Sequence, residues 1–183
     1  EDLQLISAPL DSYGVNYYYP VLAAATPGPG EAAESTGLPY FFRRIEGYPR
    51  TDFDWPVVPD GMRMLLERLH HDYAPGAMYL AENGAAFPDV VSDGAVHDPR
   101  RIAYLDGYLR AAHAAIAAGV PLRGYFVWSF MDNFEWSLGY SQRFGLVYVD
   151  YATLERIPKD SATWYRNVIA ANGGKLPDNI AKH

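Results

Sequence analysis

The sequence predicts an α/β protein in which parallel strands alternate with helices. Three short runs are rich in β-branched and aromatic residues and have the composition of buried strands: residues 12–19, 77–81 and 123–130. A helical pattern follows each run, and this order is typical of right-handed βαβ units in one parallel sheet. The chain has 183 residues, 49% of them hydrophobic, which is enough to bury a core.

The first predicted strand, SYGVNYYY at residues 12–19, ends at Pro20. The next stretch is rich in small residues and is broken by Pro27, Gly28, Pro29 and Gly30. Such a composition indicates either an interdomain linker or a long surface loop, and by itself it slightly favours the linker.

The first helix is predicted to begin at Pro59 and to end near residues 70–72, HHD. Its apolar residues recur at helical spacing, and they are Met62, Leu65, Leu66 and Leu69. After Pro75 and Gly76, the run AMYLA at residues 77–81 predicts a short buried strand.

The second helix is predicted to have Asp98 as its N-cap, Pro99 at its first position and Gly119 at its end. One apolar stripe runs along it, formed by Ile102, Leu105, Leu109, Ala112 and Ile116. The third strand follows at 123–130. Residues 144–151 have the pattern of part of a hairpin, and the last helix is predicted over 162–171, before Gly173 and Gly174.

Charge and composition exclude several classes of partner. The formal net charge is -7, and no basic patch suited to nucleic acid or to an anionic membrane is visible. No apolar run approaches the roughly 20 residues of a membrane span. The absence of cysteine excludes disulfides and thiolate metal sites. The first residues, EDLQLISAPL, lack the basic and apolar regions of a signal peptide. We expect a cytoplasmic protein.

Three parallel strands make an incomplete protein. Parallel sheets are normally covered on both faces, and isolated strands would expose long hydrophobic edges. A TIM (β/α)8 barrel needs eight such units in about 250 residues. Three units with long loops can therefore form the final part of such a barrel. The active site of such a barrel lies at the carboxyl ends of its strands, where the sequence places Asn16, Tyr18, Glu82 and Trp128.

Five segments then point to a family. In chain order they are YGVNYYYP, MYLAENGAAF, DPRRIAYLDGYL, GYFVWSFMDNFEWSLGYSQRFGLVYVDY and RIPKDSATWY. Together they resemble the C-terminal motifs of glycoside hydrolase family 1, the retaining β-glucosidases, and the resemblance covers nearly the whole chain. It implies that residues 1–183 are the C-terminal part of a single (β/α)8 catalytic domain and supply strands 6–8. The Pro/Gly-rich stretch then becomes the long loop after the first of these strands.

The resemblance implies a role for each candidate residue. Glu82 matches the catalytic nucleophile, because a carboxylate there can form a covalent glycosyl-enzyme. Tyr18 matches the tyrosine whose hydroxyl bonds that carboxylate, and Asn16 belongs to the same polar network. The implied substrate-binding residues are Trp128 under the reacting sugar, Glu135 and Trp136 at its distal hydroxyls, Phe144 in the same pocket, and Trp55 at the leaving group.

The resemblance also implies what the chain lacks. The acid/base glutamate of the family lies in an Asn-Glu-Pro motif, and no such tripeptide occurs here. We therefore expect an N-terminal section of the same barrel as a partner, covalent or as a second chain, and this chain alone to be inactive. A β-glucoside or oligosaccharide with a neutral terminal sugar is the expected substrate, with no metal and no cofactor. Two alternatives stay open: a non-catalytic carbohydrate-binding fragment and a self-associating half-barrel.

Overall fold

A computed structural model describes residues 1–26 and 40–173. The predicted loop positions at 27–30 and the predicted helix stop at Gly174 lie outside the described residues. In chain order the elements are α1 (Asp2–Ile6), β1 (Tyr13–Asn16), β2 (Leu22–Ala24), β3 (Phe41–Arg43), α2 (Pro59–Tyr73), β4 (Met78–Asn83), β5 (Val91–Ser92), β6 (Ala95–Val96), α3 (Pro99–Ala117), β7 (Leu122–Val127), a 3-10 turn (Trp136–Leu138), β8 (Val147–Val149), β9 (Arg156–Pro158) and α4 (Asp160–Ala170).

The central sheet has three parallel strands in the order β1-β4-β7, as the βαβ pattern predicts. Val15 pairs with Leu80, and Leu80 pairs with Tyr125 on the other side. The outer strands are shorter than predicted. The chain leaves the ladder after β7, because the Ser129 amide donates to Phe144 rather than to β4.

The hydrophobic core lies on one face of this sheet. Val15, Leu80 and Leu122 point into it and are at most 9% exposed. Helices α2, α3 and α4 cover this face with a set of buried and partly buried side chains that includes Met62, Leu66, Leu105, Tyr108, Ala112, Ala162 and Trp164. All three predicted helices are confirmed, with boundaries within a few residues of the predicted ones.

The opposite face of the sheet is uncovered within the described part of the chain. Tyr79 and Phe126 lie on it and are 36% and 57% exposed. Parallel sheets are normally covered on both faces, so one face of this sheet lacks its usual cover within the described residues. We call this surface, defined by Tyr79, Ala81, Gly124 and Phe126, the open face.

Two short antiparallel pairs were not predicted. Strands β2 and β3 pair, although the sequence between residues 20 and 38 has the composition of a linker or loop. Strands β5 and β6 form a tight hairpin around Asp93 and Gly94, both of which have positive φ. Asp-Gly is a strong signal for such a turn. Each strand is only two residues long, however, which is too short to show an alternation of polar and apolar residues. The predicted hairpin at 144–151 is confirmed in part, since β8 pairs with β9.

None of the described helices is long and apolar enough to cross a membrane.

Candidate active site

The tips of β1 and β4 bring Glu82 and Tyr18 together. The amide of Tyr17 donates to the carbonyl of Glu82 at 2.9 Å, which extends the pairing of the two strands beyond Asn16. Because side chains alternate along extended chain, Tyr17 turns to the helices while Tyr18 turns to the other side. The Tyr18 hydroxyl donates to Glu82 Oε2 at 2.7 Å. Both side chains are half-buried, so the pair is open to a ligand on one side.

The Tyr18 hydroxyl is held in its protonated form. Burial, the hydrogen bond to Glu82 and the charges of Glu82 and Glu135 all raise the pKa of Tyr18, with burial the largest cause. A phenol with a raised pKa stays a hydrogen-bond donor at neutral pH. The arrangement can therefore hold one carboxylate oxygen of Glu82 in place and leave the other for chemistry.

Asn83, next to Glu82, links the ends of all three strands. Its side-chain amide donates to the Tyr17 carbonyl at 2.7 Å and to the Tyr104 hydroxyl at 3.0 Å. Its side-chain oxygen accepts from the Tyr125 hydroxyl of β7, and its backbone carbonyl accepts from the Trp128 amide. The side chain is fully buried. Sequence reasoning missed this residue, although an amide directly after a buried strand was the available signal.

Gly84 is required by a close approach between strand ends. A Cβ at this position would lie 1.7 Å from the carbonyl oxygen of Trp128. Any other residue would therefore push the end of β7 away from the end of β4. The Glu-Asn-Gly sequence that ends β4 thus combines a carboxylate at the tip, a buried amide that ties three strands, and a glycine that allows them to converge.

Aromatic rings surround Tyr18. Its ring lies 5.5 Å from the ring of Trp55 and 6.3 Å from that of Phe144, edge-on in both cases. Phe144 is 1% exposed and Trp55 is half-buried. Phe53 packs against both, with ring centroids at 4.5 and 5.5 Å. The structure thus brings two of the predicted substrate-binding residues to the Tyr18–Glu82 pair.

The loop after β7 carries the remaining candidates. Glu135 accepts a hydrogen bond from the Asn133 side chain at 3.1 Å, and its charge acts on Tyr18. Trp128 is half-buried and follows β7 directly. Trp136 begins the 3-10 turn with a positive φ of 44° and is 81% exposed, so no described residue packs closely over its ring. Asn16 lies beside Glu82 in the strand register, but its side chain makes no hydrogen bond within the described residues.

A buried network of ion pairs stabilises the loop after β7. Asp132 accepts from Lys159 at 2.8 Å, from Arg143 at 2.6 Å and from the Gly145 amide at 2.9 Å. Asp89 accepts from Lys159 and from Arg101. Burial lowers the pKa of Lys159, and the charges of these aspartates oppose that effect. The network ties the loops after β4 and β7 to the start of α4.

Asp98 belongs to the same network. It occupies the predicted N-cap position of α3, but its carboxylate does not cap that helix. Its oxygens instead accept from Arg101 and from the amide and hydroxyl of Ser161 at the start of α4. The hydrogen bonds between Asp98 and Ser161 join residues 63 apart in sequence and leave no local pattern, which is why the sequence did not reveal them.

No group of three or more His, Cys, Asp and Glu side chains in the described ranges could hold a metal ion. His70 and His71 lie in the last turn of α2. The site therefore presents one carboxylate with a hydrogen-bonded phenol, aromatic surfaces and a second carboxylate on the neighbouring loop.

The sequence of the chain matches a known protein family. The sequence model of glycosyl hydrolase family 1 matches residues 1–174. The chain is 47% identical over 174 residues to β-glucosidase A of Thermotoga maritima, an alignment that covers 94% of this chain and 37% of that protein. It is 50% identical over 173 residues to thermostable β-glucosidase B of Thermobispora bispora, covering 94% of this chain and 35% of that protein.

Solved structures also match this chain. A family 1 β-glucosidase from T. maritima matches with a TM-score of 0.87 at 46% identity, covering 97% of this chain and 38% of that chain. A structure of the T. maritima β-glucosidase in complex with glucoimidazole matches with a TM-score of 0.84 at 45% identity, covering 93% of this chain and 37% of that chain. The chain spans about two fifths or less of the length of the relatives it matches.

Proposed function

This chain belongs to glycosyl hydrolase family 1, and on that premise we propose that it carries the nucleophile half of a retaining β-glucosidase. One observation carries the proposal: the hydrogen bond from the Tyr18 hydroxyl to the Glu82 carboxylate at the converging strand tips. Two relatives that share nearly half of their aligned residues with this chain are β-glucosidases, which favours a β-glucoside as the substrate.

Glu82 is the nucleophile of the proposed reaction. One of its oxygens attacks the anomeric carbon as the glycosidic bond to the leaving oxygen breaks, and an ester-linked glycosyl-enzyme forms. Water then attacks the same carbon, releases the sugar with retained configuration and returns the free carboxylate. Tyr18 holds the second carboxylate oxygen, so the attacking oxygen keeps its direction.

The remaining candidates hold the sugar. Trp128 offers an aromatic face to the reacting ring, while Phe144 and Trp55 enclose the Tyr18–Glu82 pair. Glu135 accepts hydrogen bonds from sugar hydroxyls, and Asn133 orients it. Trp136 adds its indole N–H, and Asn16 completes the polar set beside Glu82. A carboxylate at position 135 repels a phosphate, which favours a neutral sugar.

The general acid comes from an N-terminal section of the same barrel. Retaining hydrolysis needs two carboxyl groups about 5 Å apart on opposite sides of the scissile bond. Glu135 is engaged by Asn133 on the sugar-binding loop, and the chain has no Asn-Glu-Pro segment. In this proposal β1, β4 and β7 are strands 6–8 of a (β/α)8 barrel, and the missing strands cover the open face.

A hybrid protein tests the proposal. The N-terminal portion of T. maritima β-glucosidase A, up to the region that this chain matches, is joined to this chain. The hybrid is treated with a 2-deoxy-2-fluoro β-glucosyl inactivator and digested, and the peptides are analysed by mass spectrometry. We expect one stable adduct, on Glu82, and none in a Glu82→Gln variant.

Two outcomes contradict the proposal. An adduct on another carboxylate would remove Glu82 from the role of nucleophile. Binding of glucose without any adduct, measured by calorimetry on a folded hybrid, would support the alternative of a non-catalytic carbohydrate-binding fragment. Circular dichroism of the hybrid and of the Glu82→Gln variant shows whether both are folded before either result is interpreted.

A further inference from the structure

The loop after β7 is closed at its base, where residues 129–132 run beside residues 144–147. The Asp132 amide donates to the Val147 carbonyl at 2.9 Å across this base. Glu135 follows shortly after Asp132, in the part of the loop that the base carries. The position of Glu135 in the site therefore depends on how firmly the two segments of the base are held together.

The Asp132 carboxylate joins both segments of this base. It accepts from the Gly145 amide at 2.9 Å and from the Arg143 side chain at 2.6 Å, and both donors lie in the returning part of the loop. It also accepts from Lys159 Nζ at 2.8 Å, next to the start of α4. The carboxylate is fully buried. Because hydrogen bonds between charged groups are the strong ones, this carboxylate holds the base in one geometry.

Lys159 connects the base to the loop that follows Glu82. Its ammonium group donates to Asp89 as well as to Asp132, and its side chain is fully buried. Asp89 follows the end of β4, the strand that carries Glu82. One buried cation is thus shared by two aspartates from the loops after neighbouring strands. The ion pairs therefore link the place of the loop after β7 to that of the strand with Glu82.

Asn133 carries this constraint to Glu135. It follows Asp132 directly, and its side-chain amide donates to Glu135 Oε2 at 3.1 Å. Its side-chain oxygen accepts from the Ser129 hydroxyl at 2.9 Å, and its backbone carbonyl accepts from the Tyr151 hydroxyl at 3.3 Å. A displacement of the Asp132 backbone would therefore move the amide group that orients the Glu135 carboxylate.

We propose that Asp132 is a positioning residue for Glu135 and thereby determines how strongly the site selects a sugar by its distal hydroxyl groups. The inference rests on the proposed function, in which Glu135 accepts hydrogen bonds from those hydroxyls. Asp132 itself is buried and does not touch the substrate. Hydrogen bonds weaken steeply when they are misaligned, so a small shift of the Glu135 carboxylate lowers the selectivity for the sugar more than it lowers the reaction at Glu82.

Two matched substrates test this inference in the hybrid protein. 4-Nitrophenyl β-glucoside and 4-nitrophenyl β-xyloside have the same leaving group, but the xyloside lacks the hydroxymethyl group at the distal end of the sugar. The ratio of their kcat/KM values does not depend on the fraction of enzyme that is folded, so a purely structural loss leaves it unchanged. Asp132→Asn keeps the size of the side chain and removes its charge. We expect it to lower the ratio of glucoside to xyloside roughly threefold to tenfold, part of the effect of one hydrogen bond to a charged group.

Two further variants separate positioning from folding. Asp98→Asn is the matched control, because it neutralises a buried carboxylate of the same network that bonds Arg101 and Ser161 but no described residue of the loop after β7. Its substrate ratio should equal that of the unmodified hybrid within about twofold. Glu135→Gln should lower the ratio by itself. Added to that variant, Asp132→Asn should change the ratio by less than about twofold, because two residues that act through one contact are not additive.

Circular dichroism shows whether each variant is folded. If Asp132→Asn does not fold, Arg143→Met takes its place: Arg143 is 18% exposed and donates to the same carboxylate, and we expect the ratio to fall about twofold or more. An unchanged ratio in the folded variant, or an equal fall in Asp98→Asn, overturns the role of Asp132. An unmodified hybrid that hydrolyses neither substrate, or a Glu135→Gln variant with an unchanged ratio, overturns the proposed function and this role with it, so the two failures are distinguishable.

Discussion

At the scale of single residues, the proposed chemistry depends on one phenol and one carboxylate that are 64 residues apart in sequence. The 2.7 Å hydrogen bond from Tyr18 to Glu82 fixes the orientation of a carboxylate group that burial alone would leave free to rotate. Hydrogen bonds to charged groups contribute about 1.5–3 kcal/mol, and in the proposed mechanism this one orients the carboxylate for attack. The rate of glycosylation should therefore depend directly on the Tyr18 hydroxyl.

Replacement of Tyr18 by Phe is expected to lower kcat of the hybrid protein roughly tenfold to a hundredfold, since the bond to the carboxylate is lost. Steady-state kinetics with an aryl β-glucoside measures the effect. Tyr17→Phe is the matched control, because the Tyr17 hydroxyl lies on the helix side and donates a long 3.4 Å bond to the Val58 carbonyl. Equal losses in the two variants would show that Tyr18 acts through folding rather than through Glu82.

At the scale of elements, α3 controls how the strand tips meet. Tyr104 and Tyr108 lie one turn apart on its buried face, with ring centroids 4.4 Å apart. The hydroxyl of Tyr104 bonds Asn83, while that of Tyr108 accepts from the Val58 amide and approaches the Tyr18 carbonyl at 3.3 Å. The helix thus sets the positions of Asn83 and of the Tyr18 backbone, although it contributes no side chain to the open site.

This tyrosine cluster predicts a loss of stability in alkali. Burial raises the pKa of Tyr108 to about 12 and that of Tyr104 and Tyr125 well above the ordinary value. In the unfolded chain tyrosines ionise near pH 10, so above that pH the unfolded state releases protons that the folded state retains. The free energy of unfolding should be unaffected by these groups below about pH 10 and should fall as the pH rises further. Lys159, with a lowered pKa, acts in the opposite direction but is a single group.

Urea unfolding of the hybrid protein between pH 8 and 11 measures this slope. Tyr104→Phe removes one buried hydroxyl and should reduce the loss by about 1.4 kcal/mol per pH unit above pH 10. Tyr48→Phe serves as the control, because Tyr48 is 47% exposed and has no such burial. A slope that is the same in all three proteins would contradict the assignment of the alkaline transition to this cluster.

At the scale of the whole molecule, the central sheet has one face that the helices cover and one open face. The helices bury the first, while Tyr79 and Phe126 are exposed on the second. The edges of the sheet, β1 and β7, also have no strand beside them in the described residues. Exposed apolar surface and unpaired strand edges favour association, which is the basis of the alternative in which the chain pairs with itself.

We therefore expect the isolated chain to self-associate and the hybrid protein to be less prone to do so. Light scattering across a concentration series measures both, and Phe126→Ser should shift the association of the isolated chain to higher concentration. Met64→Ser is the control, since Met64 is 62% exposed on α2, on the helix side of the sheet. A monomeric isolated chain at all concentrations would mean that the open face does not need a cover.

The sequence by itself determined the order of the three parallel strands and the three helices that cover them, because side-chain period and turn residues act over a few neighbours. It also determined that Tyr18 and Glu82 follow parallel strands and so reach the same edge of the sheet. Only the tertiary structure decided which polar groups are paired. Asn83, Asp98 and Asp132 satisfy partners up to 66 residues away. Such pairings are set by the packing of whole elements, which brings distant charges together without leaving any period in the chain.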